Sequence, residues 1–106
     1  MRVVGIIVEE ESGKPLAGLQ VGAFDKDLLY DDKLGVAITD AAGAFRINYS
    51  EMDFGSIFGT ETAPDLYIRI KDATGKKLLY TSKNAIRKDA QVEERFDVKI
   101  PKAKLV

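Results

Sequence analysis

The sequence predicts an all-β protein, a seven-stranded antiparallel sandwich made of two sheets. Three observations support this fold class. Apolar and polar side chains alternate along most segments, which is the period of a strand with one buried face. Clusters of Gly, Pro, Asp and Ser interrupt these segments about every ten residues, the spacing of turns in a sandwich. No segment has the apolar spacing of a long amphipathic helix, so helical layers are not expected.

The length and composition predict one globular domain. A chain of 106 residues can build one hydrophobic core but not two, so we expect residues 1–106 to fold as a unit. Its apolar content of 45% and charged content of 31% are ordinary for a folded protein. No apolar run approaches the ~20 residues of a membrane helix, so no transmembrane segment is expected. The first residues lack the features of a signal peptide, which leaves two localisations open: the cytoplasm, or a domain of an exported protein.

Four of the predicted strands fall in the first half of the chain. Residues 2–8 are almost continuously apolar and rich in β-branched side chains, as in a strand at the centre of a sheet. The turn residues of 11–15 separate it from a second strand over 19–23. A third strand begins at Val36. After a Gly-containing turn, a fourth runs over 45–49 with a period of two.

The second half is predicted to contribute three more strands. Residues 50–64 break the alternation and form the longest connection, whose apolar side chains are expected to cap an open end of the sandwich: Met52, Phe54, Ile57 and Phe58. Beyond it, a half-buried strand over 66–71 and a hairpin partner over 77–81 are predicted. The last strand, 95–100, ends at Pro101, which cannot donate to a sheet ladder.

The alternation also predicts which side chains form the core. One apolar set from each strand should face the opposite sheet. The expected core consists of Val4, Ile6, Val21, Ile38, Phe45, Ile47, Leu66, Ile68, Phe96 and Val98.

An acidic segment between the second and third strands is the candidate metal site. It holds four aspartates, Asp25, Asp27, Asp31 and Asp32. The chain has no Cys and no His, so any metal must be held by oxygen, which favours calcium, magnesium or manganese. Carboxylates two residues apart on an extended chain share a face, and a turn could bring Asp32 back to close the site. The alternative is a solvated loop whose charge is neutralised by Lys26 and Lys33.

A longer stretch carries a resemblance to a known fold family. The residues "GIIVEEESGKPLAGLQVGAFDKD…LGVAITDAAGAFRI" resemble transthyretin-like domains, of the carboxypeptidase-regulatory-like branch of the prealbumin-like fold. The resemblance is strongest over 3–47 and extends over 64–78. It implies a Greek-key sandwich. Separately, the acidic segment resembles a shorter version of the calcium loop of C2 domains.

The resemblance also bears on catalysis. Hydroxyisourate hydrolases of the transthyretin family use histidines and a C-terminal Tyr-Arg-Gly-Ser, whereas this chain has no His and ends in KAKLV. Intradiol dioxygenases hold iron with two Tyr and two His. Because this chain has no His, that chemistry is excluded as well. A sandwich of this size also offers little sheltered volume for a reaction. We therefore expect no enzymatic activity.

The functional prediction is a non-catalytic module for binding, adhesion or spacing, with calcium as a candidate ligand of the acidic segment and no other cofactor. The expected partner is another protein or an adjacent domain of a longer chain, and edge strands could also pair copies of the domain. Nucleic acid is not expected, because the isoelectric point is near 5.5. Two alternatives remain: a purely structural domain that rigidifies a neighbour and, more remotely, a small hydrolase.

Overall fold

Two four-stranded sheets form the sandwich. The computed structural model describes residues 1–27, 29–50 and 63–106. The strands are β1 (Arg2–Glu9), β2 (Gln20–Asp25), β3 (Asp32–Ile38), β4 (Ala44–Asn48), β5 (Leu66–Lys71), β6 (Leu78–Thr81), β7 (Glu93–Arg95) and β8 (Val98–Ile100). A short 3₁₀ helix, Lys102–Leu105, follows β8. The predicted apolar cap over residues 52–58 lies outside the described residues.

The strand order confirms the all-β sandwich and changes two of its details. The first sheet has the order β4-β1-β7, with β8 also paired to β1, and the second has the order β3-β2-β5-β6. The described residues contain eight strands, because the predicted final strand is divided into β7 and β8. Both of these strands run parallel to β1, whereas every other pairing is antiparallel.

The division between β7 and β8 coincides with a close approach of two backbones. The amide of Phe96 donates to the carbonyl of Val4 at 2.9 Å, and the amide of Ile6 donates to the Asp97 carboxylate at 3.1 Å. An ideal Cβ on Gly5 would lie 1.8 Å from the carbonyl oxygen of Phe96. The last strand therefore fits beside β1 only because residue 5 has no side chain.

The core lies between the sheets and includes most of the predicted side chains. Fully buried members include Val21, Leu66, Ile68 and Ile70. No helix in the described part of the chain is long and apolar enough to cross a membrane.

Three predicted core positions are wrong. In β1 the inward residues are Val3, Gly5 and Ile7, while Val4 is half-buried and Ile6 is 38% exposed. Both sets of alternate residues in this strand are apolar, so the period of two gives no preference between its faces.

The third wrong core position is Ile38 in β3, whose side chain is 56% exposed. Lys33 pairs with Phe24 and Gly35 with Ala23, so Leu34 is an extra residue in a β-bulge. After the bulge, the residues that would have faced inward face outward. Val36 and Ile38 are therefore exposed, although Leu34 is buried.

Candidate functional site

Asp31 is the centre of a network of hydrogen bonds and ion pairs. The Tyr67 hydroxyl donates to its carboxylate, and the ammonium groups of Lys26 and Lys83 each lie 3.4 Å from it. The backbone amide of Asp27 also donates to it, at 3.2 Å. One carboxylate thus connects the acidic segment to β5 and to the loop after β6, as an ion-paired network.

The network shifts the pKa values of its members. The hydrogen bond from Tyr67 holds the pKa of the Asp31 carboxyl well below its usual range, and the Asp27 amide and Lys26 add to this effect. Burial raises the pKa of Tyr67 to about 12, and its hydrogen bond to Asp31 contributes in the same direction. Asp31 therefore stays ionised, and Tyr67 stays protonated, over the physiological pH range.

The other three aspartates occupy different environments. Asp25 is fully buried at the end of β2, and its carboxylate accepts a hydrogen bond from the Asp65 amide at 2.8 Å. Asp32 pairs with it in the sheet register, at the start of β3. Asp27 is exposed, and its carbonyl accepts a hydrogen bond from Lys26 at 3.0 Å.

The fold separates two of the predicted ligands. Asp25 continues the inward period of β2, whereas Asp31 contacts Tyr67, which follows the outward period of β5. Over residues 1–27, 29–50 and 63–106, no three acidic side chains are grouped so that they could hold a metal ion. Lys26 is bound to Asp31, as the ion-paired alternative expects. The calcium site stays a prediction.

A thermal melt tests the calcium prediction. If the four aspartates bind calcium, millimolar calcium raises the Tm above its value in chelator, because a ligand of the folded state adds RT ln(1 + [L]/Kd). Asp27→Asn should remove this rise, and the exposed control Glu10→Gln should retain it. An identical Tm of the unsubstituted protein in calcium and in chelator would contradict the prediction and leave the ion-paired network as the role of this segment.

An aromatic–cation stack lies beside this network, on the outer face of the second sheet. The rings of Phe24 and Tyr67 stack at 5.3 Å between centroids, with 19° between their planes. The guanidinium of Arg69 lies 5.0 Å from the Phe24 ring and 5.5 Å from that of Tyr67. Such contacts are attractive because the negative faces of the rings meet a cation.

The sequence alone does not reveal this stack. Phe24 and Tyr67 are directly opposite each other in the β2–β5 register, but they are far apart in the chain. The alternation of Tyr67 and Arg69 on one face of β5 was the available signal. Without the register of β2 against β5, it could not identify the partner ring.

The first sheet has a wider depression on its own outer face. It has a volume of about 250 Å³ and lies along the seam between β1 and the last two strands. Ile6 and Val8 form one wall, and the Arg95–Asp97 ion pair, at 2.8 Å, borders the other. It is a shallow apolar groove with a charged edge.

Comparison with known proteins gives a likeness of fold. No protein-family model and no curated protein matches the chain. Among solved structures, the chain is similar to a 9R-lipoxygenase from Cyanothece PCC8801, with a TM-score of 0.65 and 22% sequence identity. The match covers 92% of this chain and 16% of that one. The chain therefore shares the fold of a small portion of that larger protein, and the transthyretin-like resemblance stays a prediction.

Proposed function

We propose that this chain is a non-catalytic binding module, which docks a partner protein through the outer face of its second sheet. The observation that carries the proposal is the composition of this face. Val36, Ile38 and Leu78 lie at its two edge strands and are 46%, 56% and 50% exposed. The exposed side of an antiparallel sheet is normally polar, so these side chains are candidates for burial against a partner.

The centre of the same face has the residue types that interfaces favour. Phe24 and Arg69 are half-buried on this face and pack on the fully buried ring of Tyr67, and aromatic residues and arginine are enriched where proteins bind each other. Lys33 and Lys71 add positive charge around this centre. The complementary partner surface is therefore acidic, with apolar groups that reach the two edge strands.

The likeness to the lipoxygenase supports a role within or beside a larger protein. In that protein the matching fold makes up 16% of the chain. A domain of this kind could dock onto a neighbouring domain or onto a separate polypeptide, and the same face serves either arrangement.

A pair of double variants tests the proposal. Val36→Glu/Ile38→Glu places carboxylates on the docking face, where an acidic partner should repel them. Ile6→Glu/Val92→Glu is the matched control, because it alters exposed apolar residues, 38% and 64% exposed, outside that face. Each variant, once circular dichroism has shown it to be folded, is immobilised and exposed to extract from cells that express the protein. Retained proteins are then purified and measured by calorimetry.

The expected result is a purified partner whose affinity falls at least about tenfold, or 1.4 kcal/mol, for the docking-face variant alone. Two outcomes would overturn the proposal. Equal affinity for both variants would place the contact elsewhere. If no protein binds the unsubstituted domain, the purely structural alternative is correct.

A further inference from the structure

We infer that a notch in the outer face of the second sheet binds a phosphate group. The notch crosses β3, β2 and β5 and has a volume of about 60 Å³. It is lined by Gln20, Gly22, Lys33, Val36, Arg69 and Lys71. Three of these residues are cationic and none is acidic, so the notch is built for a negatively charged group.

The notch exists because the central strand has a glycine at its middle outward position. Gly22 pairs with Val36 on one side and with Arg69 on the other. An ideal Cβ at this position would lie 2.9 Å from Cε2 of Phe24, so that ring already reaches over the glycine. Any side chain at residue 22 would therefore fill the space between its neighbours.

The cations around the notch have no anionic partner within the described part of the chain. The ion pairs there are Arg2–Glu93, Lys26–Asp31, Lys83–Asp31, Arg87–Glu94 and Arg95–Asp97. None of them includes Lys33, Arg69 or Lys71. Like charges on one face repel each other, so an anion placed among the three is stabilised by all of them.

Arg69 is held in position before any ligand binds. The central carbon of its guanidinium lies 5.0 Å from the centre of the Phe24 ring and 5.5 Å from that of Tyr67, so the charged end of the side chain rests against both rings. A guanidinium carries its N–H donors in a planar fork, and this fork matches two oxygens of a phosphate. Ordering the side chain in advance lowers the entropic cost of binding.

Size and charge favour phosphate over other anions. A space of about 10–15 Å³ open to the centre of a water-sized sphere holds one water, so a notch of about 60 Å³ has room for about five heavy atoms, the size of a phosphate group. A phosphate monoester carries about −1.5 to −2 charges at pH 7, which suits three cations better than the single charge of a carboxylate. The notch is open to solvent on the docking face, so the phosphate can be a free ion or a group carried by a protein.

Inorganic phosphate tests the site without any protein partner, so this inference can fail or succeed independently of the proposed function. The ¹⁵N-labelled domain is titrated with phosphate at constant ionic strength. We expect saturable shifts of the Gly22, Val36 and Arg69 amides. Lys33→Gln/Lys71→Gln should weaken binding by at least about tenfold. Lys99→Gln/Lys102→Gln removes two exposed lysines outside the notch and should change the affinity by less than about twofold.

Gly22→Ala provides a second variant that leaves every charge in place. Its methyl group occupies the notch, and we expect the saturable shifts to disappear. A titration with a phosphoserine peptide identifies the source. Tighter binding than inorganic phosphate would indicate a phosphorylated protein, and equal binding a free ion. Shifts that do not saturate, or that survive in both Gly22→Ala and the Lys33/Lys71 variant, would overturn the inference.

Discussion

Gly5→Ala is expected to lower the free energy of unfolding by about 3 kcal/mol or more, the upper range for overpacking a filled site. An added Cβ would lie 1.8 Å from the Phe96 carbonyl oxygen and 2.9 Å from a ring carbon of Phe45. The first contact is with backbone, which cannot move without separating β1 from the last two strands. Urea denaturation followed by circular dichroism measures the change.

Gly22→Ala is the matched control for this measurement. It also adds one methyl group to the central strand of a sheet, but the nearest atom, 2.9 Å away, is at the far end of the Phe24 side chain. A ring edge can rotate away, so the expected loss is below about 1.5 kcal/mol. Equal losses for both variants would contradict the assignment of Gly5 to a backbone contact.

Tyr67→Phe is expected to lower the free energy of unfolding at pH 7 by about 1–2 kcal/mol, the lower range for a hydrogen bond to a charged group, since Asp31 is partly exposed. The variant keeps the ring and removes only the donor to the Asp31 carboxylate. The measurement is urea denaturation of both proteins from pH 7 down to pH 2.

The pH dependence identifies the bond. The pKa of Asp31 is lowered in the folded protein from its ordinary value of 3.8, so its stabilisation is complete above that value and declines as the pH falls below it. The difference between the two proteins should therefore shrink towards pH 2. At the alkaline end the pKa of Tyr67 is raised from 10.0 to about 12, so its contribution is lost as the pH rises between these values.

Asp31→Asn completes a double-mutant cycle for this pair. If the hydroxyl stabilises the fold through the carboxylate, Tyr67→Phe should cost less in the Asp31→Asn background than in the unsubstituted protein. A Tyr67→Phe effect that is unchanged by pH and by Asp31→Asn would show that the hydroxyl acts on something other than this carboxylate.

The sequence predicted the strands well because half-buried strands leave a period of two. That signal located β2, β4 and β5. The period of two did not identify the buried face of two strands, β1 and β3. In β1 both faces are apolar, and in β3 a bulge at Leu34 reverses the phase, which no local pattern reveals.

The candidate sites depended on pairings across the sheets, which a single sequence does not encode locally. The acidic segment was recognisable from its composition, but Asp31 is held by Tyr67, 36 residues away. The notch around Gly22 likewise requires the registers of β2 with both β3 and β5. The glycine inside an alternating strand was visible in the sequence. The residues that lie beside it on the neighbouring strands were not.

The parallel pairing of β1 with the last two strands has a consequence for biosynthesis. Val3 is opposite Glu94 in the register, and Glu9 is opposite Ile100, so about 90 residues separate the partners along the chain. Contacts of such long sequence separation slow folding, because a large loop must close before they form. On the ribosome, β1 emerges before the other described strands and must wait for residue 100 before its sheet is complete. A nascent chain halted before that point would leave one side of β1 unprotected, where chaperones or other chains could pair with it.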